Sequence, residues 1–293
     1  MSSAAGTAPA LLAGRQARVR RPSTVTIWRW ELRKLISQKR TYLGLSIGIV
    51  FPLLFVVVQV LRAHHGHEGD NIFFSEVTQS GLATPVLTLL FQSVFLLPLA
   101  ASLVAGDIVA AEDNNGTLKT ILTRSVDRGQ VFAAKALATA TYTMLAVFIS
   151  AATATAAGVS AWGFRHIITF SGSVVSAPKG LLLVFAANAC YLIPLFAVVS
   201  IGLLLSTATR NSAAAVVGAI AVTVLLALIT LIPGLESVRP YLLTTENSNW
   251  HGLLRTPTDW APIWHSLWVC ALYAVPSLIA AYLVFLRRDV AGG

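Results

Sequence analysis

Long apolar runs separated by short polar stretches set the pattern of this chain. Six of them reach the roughly 20 residues that a membrane-spanning helix requires: 43–61, 82–105, 136–158, 181–207, 213–232 and 267–286. None of the 21 basic and 12 acidic residues falls inside a run. A backbone in lipid must pair its own N–H and C=O groups, and a barrel strand would alternate polar and apolar positions. The pattern therefore predicts an all-α integral membrane protein with six transmembrane helices, a domain occupying 41–289. Composition agrees, because 56% of residues are hydrophobic and only 11% charged, against about 25% charged in a soluble domain. A soluble chain with so few charges could not cover its core.

Charge adds an orientation. Sixteen of the 21 basic residues fall on one face of the six-span topology, nine of them before the first run, from Arg15 to Arg40. The positive-inside rule then puts both termini in the cytoplasm. The net charge of +9 reads as topology, and nothing resembles a nucleic-acid surface of basic residues interleaved with stacking aromatics. Residues 1–26 read as a disordered basic tail. Residues 27–40 predict an interfacial amphipathic helix. Trp28, Leu32, Leu35 and Ile36 share one face, Arg29, Arg33 and Lys34 lie off it, and Trp30 and Glu31 complete the segment.

The longest cytoplasmic connection, 106–135, begins acidic, turns at Asn114, Asn115 and Gly116, and continues as a helix with Leu118, Ile121 and Leu122 on one side. A solvated loop needs no apolar stripe, so this one packs on the bundle or on a partner. The three longer connections on the other face carry all six histidines. His64, His65 and His67 are weak metal candidates beside the simpler reading of solvated side chains, so no metal site is assigned. Trp250, Trp260 and Trp264, set among prolines, place the last outer connection on the outer leaflet or as a cap over the bundle.

Chemistry is sparse. There is no Gly-x-x-x-x-Gly-Lys-Ser/Thr phosphate loop and no His-Glu-x-x-His pair. Nor is there a nucleophile–base–acid set, so the chain is not read as an enzyme and has no catalytic residue. Cys190 and Cys270 lie in apolar runs and read as packing residues. Polar groups within the spans, among them Gln59, Gln92, Tyr142, Asn188 and Tyr191, either line a substrate path or bond across helices. Gly44 and Gly48 form a small-x-x-x-small pair for close helix approach. Pro52, Pro85, Pro98, Pro194 and Pro276 predict kinks. Spans without Asp, Glu, Lys, Arg or His lack the usual means of ion coupling, so uphill transport would need an energised partner.

The basic interfacial helix, the six spans and Glu112-Asp-Asn-Asn-Gly116-Thr117-Leu118, continuing to Lys135, together resemble the permease subunit of type-2 ATP-binding-cassette (ABC) exporters. Weaker matches are Trp30-Glu31-Leu-Arg-Lys34, Ser206 to Ser212, and Phe285 to Asp289. The resemblance implies a multi-pass protein of the bacterial plasma membrane that pairs with a second copy or a homologous permease. It also implies a separate ABC ATPase subunit that holds ATP and Mg, this chain binding no cofactor itself. Glu112, Gly116, Thr117, Leu118, Ile121, Leu122, Arg124, Asp127 and Arg128 would form the ATPase-coupling surface, together with the helix bearing Trp28, Trp30, Glu31 and Lys34. The cargo would be amphipathic, lipid-like or drug-like, with membrane lipids as neighbours. The rival reading is a membrane scaffold or sensor that docks a cytoplasmic partner through 106–135.

Overall fold

The structure, a computed structural model, describes residues 22–65, 79–117, 127–209 and 211–287. It is an all-α membrane protein. The helices are α1 (Thr24–Ile36), α2 (Lys39–His64), α3 (Ala83–Val94), α4 (Leu96–Ala105), α5 (Ala110–Asn114), α6 (Arg128–Trp162), α7 (Ala177–Ala208), α8 (Ser212–Ile229) and α9 (Ala261–Arg287). A two-residue antiparallel ladder, Ile167–Ile168 with Val174–Val175, closes the turn between α6 and α7. Two 3₁₀ segments, Arg239–Tyr241 and Thr245–Leu254, precede α9. Among the described residues, five helices (α2, α6, α7, α8 and α9) are long and apolar enough to cross a membrane, and α3 with α4 makes a sixth if the bent pair is one span.

That bent pair departs from the continuous run expected over 82–105. The axis turns by 57° at Phe95, and the cause is Pro98. A proline ring lacks an N–H and collides with the carbonyl four residues earlier. Here that residue is Val94, where α3 ends. The break frees the Ser93 carbonyl, which accepts the Tyr191 hydroxyl at 2.9 Å and Asn247 Nδ2 at 3.1 Å. Pro85 lies in the first turn of α3, where no intrahelical donor is needed. Pro52, Pro194 and Pro276 stay within unbroken helices. Tyr191→Phe should cost about 0.5–1.5 kcal/mol, because Asn247 still serves the carbonyl. A thermal melt of the purified variant checks this.

Helix α7 is the core of the bundle. More than half of its most apolar window is buried, against a third or less for the other long helices, and Tyr191, Leu195 and Leu203 are fully enclosed. Helix α8 buries only Ala215, Ala219 and Thr223, so it is peripheral. Gly44 and Gly48 put α2 against α6 and α4 within the one chain. A Cβ on Gly48 would stand 3.2 Å from the Ala146 carbonyl oxygen, and one on Gly44 would meet the Tyr142 hydroxyl.

The polar groups of the spans serve mainly as helix-to-helix bonds. Gln92 and Ser150 exchange bonds of 2.9 and 3.1 Å between α3 and α6, and the Tyr142 hydroxyl reaches the Thr41 carbonyl at 3.5 Å. Asn188 donates to the Val184 carbonyl of its own helix, and Gln59 is buried on α2. At the end of the bundle away from α1, Trp250 is buried and stacks edge-on with His251, so the cap alternative holds for it. Trp260 and Trp264 remain exposed.

Candidate functional site

Charge that avoids the spans gathers at the end of the bundle where α1, α5 and the first turns of α6 meet. Helix α1 starts three residues before the expected boundary, because the Ser23 hydroxyl accepts the Thr26 N–H and caps it. Ile27, Glu31 and Leu35, one turn apart, form its buried face. Trp28 packs beside them and donates its indole N–H to Thr141 of α6 at 3.3 Å. Ile36 and Trp30 are exposed. The helix thus lies on the bundle by a face that carries a carboxylate in its middle.

Lys135 answers that carboxylate. Its side chain is fully buried, and its ammonium meets Glu31 Oε1 at 3.0 Å, Glu112 Oε1 at 2.7 Å and the Ile108 carbonyl at 3.2 Å. An ammonium has three donors, and all three are used. Lys34 also pairs with Glu112 Oε1 from α1, with its own side chain 42% exposed. Next to this set, Arg40 at the start of α2 pairs with Asp107, which also accepts the Ser212 hydroxyl from α8. The Ser206 hydroxyl of α7 takes the N–H groups of Val109 and Ala110, each at 3.1 Å. Segment 106–115 is therefore fastened to α1, α2, α6, α7 and α8 at once.

Glu112 heads the expected ATPase-coupling surface, and the structure places its side chain inside the protein. Glu112 is only 2% exposed, an internal clamp between α1 and α6. Burial pushes its carboxyl pKa up, but the ammonium groups of Lys135 and Lys34 outweigh that, and the net shift is downward. The carboxylate is therefore ionised at neutral pH. A depressed folded pKa gives stability that is present above the ordinary carboxylate value and lost as pH falls through the folded pKa. The stability gap between the wild type and Glu112→Gln should accordingly close on acidification, which pH-dependent thermal melts measure.

The other coupling candidates divide. Gly116 takes φ +69° and closes α5, a turn that glycine makes without strain. The Thr117 hydroxyl donates to the Glu112 carbonyl at 3.2 Å. Asp127 caps α6 through the Gly129 N–H, and Arg128 donates to the Leu286 carbonyl at the end of α9. Leu118, Ile121, Leu122, Arg124 and His67 lie outside the described residues, as does the apolar stripe. His64 and His65 each bond a carbonyl of the last turn of α2, and among the described residues no metal-binding cluster of His, Cys, Asp or Glu forms. At the far end of the bundle, His265 pairs with the buried Glu246 at 3.0 Å.

Lys135, Asp107 and Arg40 were absent from the sequence-derived site. A lysine at the edge of an apolar run reads as a snorkelling flank. Only its place on the same helical ridge as Thr139 and Tyr142, both buried, hinted at an inward direction.

A cleft of about 210 Å³ opens beside the junction, lined by Glu31, Lys34, Arg40, Asp107, Glu112 and Asn115 among others. Among the described residues the junction is a set of paired charges and hydrogen bonds that ties segment 106–115 to several spans.

Comparison with known proteins gives two findings. The chain is 30% identical over 123 residues to the "Probable ABC transporter permease protein NosY" of Stutzerimonas stutzeri. That alignment covers 42% of this chain and 42% of the relative, so the chain spans less than half the length of the curated protein it matches. Over residues 53–291, a stretch that takes in every described helix from the second half of α2 onward, the chain belongs to the family described as "Protein of unknown function (DUF2705)".

Proposed function

We propose that this protein is the membrane-spanning permease subunit of an ATP-driven ABC transporter of the type-2 exporter class. The observation that carries the reading is the junction around Glu112 and Lys135, which fastens one cytoplasmic segment to five helices. Coupling requires contacts that differ between two states, and such a joint transmits a push on segment 106–115 to the spans behind it. The similarity to the NosY permease supports the same class.

In this reading a separate ATPase subunit binds ATP and Mg and docks against segment 106–135 and α1. The spans hold no Asp, Glu, Lys, Arg or His of their own between residues 136 and 158 or 181 and 207, which fits an amphipathic, lipid-like or drug-like cargo. A second permease, identical or homologous, completes the pathway. Both termini face the cytoplasm of a bacterial cell.

The test is transport. Inside-out vesicles holding the chain with an ATPase that co-purifies with it should accumulate a fluorescent amphiphile when given ATP. Accumulation should fall at least tenfold in Glu112→Ala, with membrane insertion intact. Equal accumulation with and without ATP would support the scaffold reading instead.

A further inference from the structure

The strongest unassigned feature is one oxygen atom. Both ammonium groups at the junction, Lys34 and Lys135, fall on Glu112 Oε1, while Oε2 is buried and has no hydrogen-bond partner. A buried acceptor left empty is costly, and more so on an ionised carboxylate. The two lysines differ in how firmly they are held. Lys135 is fully enclosed with all three donors used, whereas Lys34 stands 42% exposed at the mouth of the cleft and can return its ammonium to water.

With Lys34 withdrawn, Glu31 and Glu112 share the single charge of Lys135, and Arg40 stays committed to Asp107. The cleft then carries an uncompensated negative charge, and the Glu112 carboxylate has an oxygen vacated by Lys34 beside the unpartnered Oε2. An ammonium would again meet one oxygen. A planar guanidinium meets both in parallel bonds.

We infer that the cleft receives an arginine side chain of the cytoplasmic ATPase, which displaces Lys34 and binds Glu112 through both oxygens. This rests on the permease reading, and names the partner chemistry at that joint. Docking would then exchange a contact within the chain for one between subunits. The bond of α1 to segment 106–115 loosens while Lys135 keeps that segment tied to α6.

Two measurements on the full-length protein test this. In detergent, thermal unfolding is followed by tryptophan fluorescence with arginine amide or lysine amide at matched ionic strength. Arginine amide should stabilise at roughly tenfold lower concentration than lysine amide. Lys34→Ala should strengthen the arginine response, and Glu112→Gln should remove it. Equal responses to the two amides, or a response that survives Glu112→Gln, overturns the inference. If Glu112→Gln does not fold, a weaker arginine response in Lys34→Ala than in the wild type has the same consequence. A response strengthened by Arg124→Ala would make the occupant this chain's own arginine, and also overturns it.

The second measurement places a photo-cross-linking residue at Asn115, on the cleft wall, in native cells. The expected product is an ATPase peptide containing arginine. An ATPase that co-purifies but cross-links through an arginine-free surface overturns the inference and leaves the permease reading standing. Absence of any ATPase overturns both.

Discussion

Lys135→Met is expected to destabilise the protein by about 3–5 kcal/mol, the usual result of removing one partner of a buried ion pair. The loss falls on several groups together. Glu31 loses the ammonium 3.0 Å away, Glu112 keeps only the half-exposed Lys34, and the Ile108 carbonyl loses its donor. The variant should also reverse the pH response. Carboxylates buried without a cation have raised pKa values, so its stability recovers as pH falls, whereas the wild type loses the contribution of Glu112 there. Thermal melts of both proteins across pH measure the two effects together. Adding Glu31→Gln to Lys135→Met should restore part of the loss, because one uncompensated charge goes with it. If Lys135→Met melts like the wild type, the junction is no structural joint.

The second large effect lies at the opposite end of α6. Gly158 and Gly81 face one another backbone to backbone: a Cβ on Gly158 would run into the Gly81 carbonyl oxygen and the Thr84 side chain. A carbonyl cannot swing away as a flexible side chain can. Gly158→Val should therefore cost about 1–3 kcal/mol or more through overpacking, with the start of α3 displaced. Gly218 provides the contrast. Its Cβ would meet only Leu205 Cδ1, at 3.1 Å, and alanine favours a helix over glycine by about 0.8–1 kcal/mol. Gly218→Ala should thus be neutral or stabilising under the same thermal assay, and comparable losses in both variants would defeat the packing account.

The spans were legible because each apolar run is about as long as the hydrocarbon core of a bilayer is thick, and that signal survives any detail of packing. Helix breaks were less so. Five prolines within the runs predicted five kinks, yet only Pro98 coincides with a break. What distinguishes it is outside its own segment: Tyr191 and Asn247, remote in sequence, serve the Ser93 carbonyl that the break exposes. For the site, Glu112, Glu31 and Lys34 were legible as a motif but not as one contact. Their meeting depends on α1 lying back across α6, and on Lys135 pointing inward from a helix whose sequence reads as a plain span edge. Charge counting placed these residues at one end of the bundle. It could not tell a solvated carboxylate from a clamped one.

The same distinction changes the role of Glu112 in the account. A solvated Glu112 would be free to meet a partner at once, whereas the clamped one can do so only by giving up its contact with Lys34. The most direct measurement of the central claim is to purify the tagged chain from its native membranes in mild detergent and identify what accompanies it. The permease account predicts a phosphate-loop ATPase in stoichiometric amount, retained by the wild type and lost in Lys135→Met where that variant still inserts. A chain that purifies under several mild conditions without any such ATPase, or with a different cytoplasmic protein in its place, would contradict it.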